Sequence, residues 1–144
     1  MTKKVGLALG SGSAKGFAHI GVIQVLEEQG VPIDIISGSS AGAIIGSIYA
    51  VGSDMNFLAK FFKHINSREY LDMTRPHKGG LVKGERIKEL LRLLTHDKTF
   101  EQTKIPFFCM ATNIETGELV ILNTGKLYQS VRASLSVPGV FVPV

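Results

Sequence analysis

The sequence predicts an α/β fold built on a mainly parallel sheet, and three observations carry that prediction. Two apolar, strand-like runs, residues 4–9 and 33–37, each end in a glycine-rich turn and each lead into a helical stretch. The order strand–loop–helix–strand–turn–helix makes those strands parallel neighbours joined by a right-handed crossover. An apolar content of 44% over 144 residues is enough to fill the core of one ordinary domain.

The elements follow in order. Lys4-Val5-Gly6-Leu7-Ala8-Leu9 reads as a buried strand, and residues 10–16 as a glycine loop. Residues 17–29 separate into apolar and polar faces at helical spacing, and Gly30 ends that helix as its cap. The second strand spans 33–37, and after a sharp turn a helix runs to about Val51, with Gly52 beyond it. Ser53 or Asp54 caps a third helix with Leu58, Phe61, Phe62 and Ile65 on one stripe. Residues 68–83 read as irregular, either a segment over the site or a connector. Residues 85–94 form an amphipathic helix with Ile87, Leu90, Leu91 and Leu94 inward. Residues 105–112 form a strand that turns at Glu115-Thr116-Gly117 into an antiparallel partner, 118–123; residues 126–136 form a short helix.

Residues 35–53 carry no charge, and Gly38, Gly42 and Gly46 stand at G-x-x-x-G spacing, as in a membrane span. Nine of those 19 residues are Gly or Ser, and the pattern changes from strand to helix inside the run. A buried strand followed by a buried helix explains it better. The single cysteine, Cys109, lies in an apolar run, which argues for a small core residue and against a disulfide framework. Thr2-Lys3-Lys4 leads at once into a strand, with no secretory pattern, so a cytoplasmic protein is expected. The net charge is +4, and residues 60–104 hold 11 Lys/Arg against six Asp/Glu. That excess favours an anionic partner, such as phospholipid headgroups at a membrane surface met peripherally or nucleic acid, but a solvated helix face is the commoner reason for it.

Gly38-Ser39-Ser40-Ala41-Gly42 is G-x-S-x-G between strand and helix. In that setting a tight turn, with glycines at 38 and 42, lifts the Ser40 Oγ outward, and the helix directs its first amides towards it. Ser39, the variable position, reads as pointing elsewhere. A serine nucleophile also needs donors for the oxyanion and a proton acceptor. The loop of Gly10, Ser11, Gly12, Ser13 and Gly16 offers exposed amides, and Lys15 either adds positive charge or ties the loop down. A dinucleotide loop is the competing use, but G-x-G-x-x-x-G is the wrong spacing and no acidic residue ends the second strand. His19 reads as structural, while His64, His77 and His96 sit in polar or helical surface contexts, so a Ser-His-Asp triad fits poorly.

Together these segments resemble the patatin-like phospholipases, serine lipid acyl hydrolases. The resemblance rests on Gly10-Ser11-Gly12-Ser13-Ala14-Lys15-Gly16-Phe17-Ala18-His19-Ile20-Gly21-Val22, on the Gly38–Gly42 turn, on Gly80-Leu81-Val82-Lys83-Gly84, and on the run from Arg132 through Ser134, Ser136 and Pro138 to Pro143. It implies a three-layer patatin-like core and an acyl-enzyme formed on Ser40. The amides of Gly12 and Ser13 would hold the oxyanion, with Ser11 and Ala41 as further donors. It implies a phospholipid or other acyl-ester substrate, no cofactor, no metal and no nucleic-acid partner. Ser11 and Ser13 replace glycines of the family loop. The family uses a Ser–Asp dyad with the aspartate in an Asp-Gly turn; no Asp-Gly dipeptide occurs here, and Asp34, Asp54, Asp72 and Asp97 do not match its position. The expectation is therefore one domain over 1–144, incomplete at its C-terminus, lacking its base and inactive alone. The alternative is a non-catalytic lipid- or nucleotide-binding α/β domain.

Overall fold

The computed structural model describes residues 3–65, 73 and 80–144. Four strands form the main sheet in the order β1 (Gly6–Leu9), β2 (Ile35–Ser39), β4 (Phe107–Thr112), β5 (Leu119–Leu122). The first three are parallel and β5 is antiparallel to β4. Leu9 stands opposite Gly38, and Ser39 opposite Met110, so the carboxyl ends of β1, β2 and β4 lie side by side. That is the edge at which open α/β sheets bind ligands.

Helix α1 (Ala18–Glu28) returns from β1 to β2, and α2 (Ala41–Ala50) starts directly at the end of β2. Eight of its ten residues are buried, including Ile45, Gly46 and Ile48. The uncharged run is thus a central strand and a buried helix, and among the described residues no helix is long and apolar enough to cross a membrane. Gly46 lets the sheet approach: a Cβ there would stand 2.9 Å from the Phe107 ring. Helix α3 (Met55–His64) is capped by Asp54, which accepts from the Asn56 amide at 2.8 Å. Helices α4 (Glu85–Leu94) and α5 (Leu127–Ser134) complete the core with Leu91, Leu127 and Val131. Cys109 is fully buried, as expected.

The structure corrects four boundaries. The stretch expected as loop up to Gly16 contains a 3-10 turn over Ser13–Phe17, and α1 begins after it. β2 runs two residues further than expected, into the pentapeptide, because β1 and β4 pair with it on both sides there. Helix α5 stops at Ser134 rather than Ser136. Most of the expected irregular segment, residues 68–72 and 74–79, lies outside the described residues. Its end does not read as expected: β3 (Gly80–Val82) pairs in parallel with β6 (Gly139–Phe141), a strand no local pattern marks. The buried Arg132 fastens this second sheet. Its guanidinium donates to the carbonyls of Lys83 (2.7 Å) and Val142 (3.0 Å) and lies 5.0 Å from the Phe141 ring centre. Gly84, at φ +80°, leaves the space the guanidinium occupies.

Candidate active site

The Gly38–Gly42 turn and the glycine loop are pressed together by contacts that exclude side chains. A Cβ on Gly42 would run into the Leu9 carbonyl, and one on Gly38 would sit 2.6 Å from the Gly42 carbonyl oxygen. Gly16 packs against the Ala41 methyl in the same way. Glycines at these positions allow the loop after β1 to lie directly on the start of α2.

Ser40 stands at the apex with φ +52° and ψ −117°, a conformation costing about 1–3 kcal/mol for a side-chain-bearing residue. Three interactions hold it. Its carbonyl accepts from the amides of Ala43 (2.9 Å) and Ile44 (3.1 Å), which begins α2. Its amide donates to the Ser134 Oγ at 2.8 Å. The Ser134 hydroxyl in turn donates to the Met110 carbonyl at 2.6 Å, on the neighbouring strand. Ser40 is half-buried and stands at the N-terminus of α2.

The glycine loop is fixed just as specifically. The Lys15 amide donates to the Gly12 carbonyl at 3.0 Å and closes the 3-10 turn. Ser13 takes φ +50°, a left-handed position that glycine fills without strain. The Ser11 Oγ donates to the Ser39 Oγ at 3.0 Å, so Ser39 links the elbow to the loop. His19 Nε2 donates to the Gly10 carbonyl at 2.8 Å. The structural reading of His19 thereby gains a definite role, since the ring anchors the first residue of the loop. The Lys15 side chain is exposed, and it is the backbone of Lys15 that ties the loop. Gly10 and Gly21 have open space where a Cβ would stand.

Each described aspartate has a partner of its own. Asp34 accepts from the Val5 amide at 2.7 Å, Asp54 caps α3, and Asp97 pairs with Lys126 (3.1 Å) and Arg92 (3.5 Å). The pairing with Lys126 holds the Asp97 carboxyl below its ordinary range. His64 Nδ1 donates to the Lys60 carbonyl, and His96 occupies a turn at φ +54°. Asp72 and His77 lie outside the described residues.

Beside the elbow lies a cleft of about 410 Å³. Its lining is mixed: Met110, Ile114, Val137 and Pro138 alternate with Ser39, Thr112, Asn113, Ser134 and Ser136. The position of Ser134 between elbow and cleft had no signal in the sequence beyond its place in the Arg132–Pro143 run.

These features define a strand–turn–helix serine elbow under a glycine loop. The family profile described as Patatin-like phospholipase matches residues 7–144. The chain belongs to the patatin-like phospholipase family. It is 39% identical over 142 residues to an NTE family protein of Mycobacterium tuberculosis, covering 97% of this chain and 39% of that protein. It is 38% identical over 148 residues to the lysophospholipase NTE1 of Coccidioides immitis, covering 99% of this chain and 9% of that one. The chain thus spans well under half the length of these relatives. Among solved structures, the type III effector ExoU superimposes with a TM-score of 0.70 at 19% identity, over 96% of this chain and 40% of that one. VipD from Legionella pneumophila gives 0.56 at 33% identity, over 65% and 17%.

Proposed function

We propose that this chain is the nucleophile-bearing part of a serine esterase that cleaves acyl esters of phospholipids or related lipids. The observation that carries the reading is Ser40 itself: a strained backbone, held from both sides, beside the glycine loop. Strain of this kind persists where the surrounding structure over-determines it, as in active sites.

In this reading the Ser40 Oγ attacks the ester carbonyl carbon, and its proton passes to a base. Negative charge develops on the carbonyl oxygen, against the amides of Gly12 and Ser13, with Ser11 and Ala41 as further donors. The C–O bond to the alcohol breaks, and the alcohol leaves with the proton. Water then attacks acyl-Ser40 and releases the fatty acid. The cleft beside Ser39 takes the acyl chain in this reading, against Met110, Ile114, Val137 and Pro138. The base in this proposal is the dyad aspartate that the family resemblance implies; none of Asp34, Asp54, Asp72 and Asp97 matches its position, and Asp34, Asp54 and Asp97 are engaged elsewhere.

The test is covalent labelling by a fluorophosphonate in the protein expressed from its complete natural reading frame. Wild type and Ser39→Ala should label, and Ser40→Ala should not. Equal labelling of Ser40→Ala would overturn the assignment.

A further inference from the structure

Four phenylalanines form a continuous ladder next to the glycine loop. The Phe17 and Phe62 ring centres are 4.8 Å apart, Phe62 and Phe61 5.5 Å, and Phe61 and Phe57 6.1 Å. Phe61 and Phe62 are partly buried against the core, whereas Phe17 and Phe57 keep 46% and 57% of their surface exposed. Large exposed rings packed on each other are an apolar surface, not scattered side chains.

The topology places this surface at the catalytic edge. Phe17 ends the 3-10 turn that begins at Ser13. Helix α2 leaves that edge and α3 returns towards it, so the Phe61–Phe62 end of α3 meets Phe17 beside the loop.

The charged side chains within α3 have one sign. Helix α3 carries Lys60, Lys63 and His64 and no Asp or Glu, and Lys15 precedes Phe17. Among the described residues Lys60 and Lys63 are in no ion pair, whereas Lys88, Arg92 and Lys126 are paired with Glu85, Glu89 and Asp97. The nearest acids on these two helices are Glu27 and Glu28 in the last turn of α1, and Asp54, which is occupied as the cap of α3.

We propose that the Phe17–Phe62–Phe61–Phe57 ladder with Lys60 and Lys63 is a docking surface for an anionic lipid bilayer. The rings enter the headgroup–acyl boundary and the lysines meet the phosphates. Docking there sets the loop and Ser40 against the bilayer, where an ester substrate resides. This rests on the lipid-hydrolase reading and adds the partner and the face.

The experiment is co-sedimentation of the complete natural protein with phosphatidylcholine vesicles, with and without phosphatidylglycerol, across a salt series. Wild type should bind the anionic vesicles, and binding should fall steeply with salt. Lys60→Gln/Lys63→Gln should weaken it about thirtyfold, at about fivefold per lysine. Phe57→Ser should weaken it about tenfold. Fluorophosphonate labelling of Ser40 in solution reads the hydrolase separately and should be unchanged in these variants. Loss of vesicle binding in the variants with no labelling of wild type would sustain the docking surface and sink the catalytic reading. Labelling with vesicle binding indifferent to both variants would overturn the docking surface alone. So would Phe57→Ser converting a dimer to a monomer while vesicle affinity stays unchanged, since the face would then join two copies.

Discussion

The Ser134 hydroxyl bridges the Ser40 amide, at 2.8 Å, and the Met110 carbonyl, at 2.6 Å. One small side chain on α5 therefore ties the elbow to β4. The two serines are 94 residues apart in sequence.

Ser134→Ala should leave a half-buried amide and a carbonyl without their partner, destabilising the protein by about 1–3 kcal/mol. The Ser40 backbone should relax towards a less strained conformation. The expected readout is a lower melting temperature together with a fall in the fluorophosphonate labelling rate, while Ser134→Cys, a weaker donor, falls between. A labelling rate unaffected by Ser134→Ala would show that the turn holds Ser40 without this bond.

The loop amides and the loop side chains should separate cleanly. Gly12→Ala places a methyl 3.3 Å from the Gly16 nitrogen and should lower kcat by roughly 10²–10³ in the complete protein, the usual effect of losing an oxyanion donor. Ser13→Gly relieves a φ of +50° and should raise stability by about 1 kcal/mol without loss of rate. Unchanged kcat with a raised KM for Gly12→Ala would assign the loop to substrate positioning.

Much of this site was legible because its signals are local. The pentapeptide, the glycine loop and the parallel strands before them each rest on a few adjacent residues. The same is true of α4, whose period is complete within ten residues. What could not be read depends on distant partners. β3 and β6 are three residues each and become strands only by pairing with one another across almost 60 residues, with Arg132 over them. Ser134, His19 and Ser11 are ordinary polar residues until the fold sets them against Ser40, Gly10 and Ser39.

Burial pushes the Cys109 thiol up to about 11, and its Sγ donates to the Ser130 carbonyl at 3.4 Å. A thiol held protonated in the folded state favours folding fully below its unfolded value, and that contribution disappears as pH rises from about 9 to 11. Wild type should therefore lose about 2–3 kcal/mol across that window relative to Cys109→Ala. Parallel urea denaturation of the two proteins measures it; identical pH slopes would refute the burial argument.

The location of the base has its own test. Residues 1–144 alone should hydrolyse p-nitrophenyl esters on the order of 10⁴–10⁶ more slowly than the protein from the complete reading frame, the usual loss when a nucleophile's partner is removed. Comparable turnover by the two, abolished by Ser40→Ala, would place the base within these residues.

The most direct test of the central claim is mass spectrometry of the protein from its complete reading frame after reaction with a fluorophosphonate. The account predicts a single adduct on the peptide bearing Ser40, absent in Ser40→Ala and present in Ser39→Ala. An adduct on any other serine, or the same adduct yield from Ser40→Ala, would contradict it.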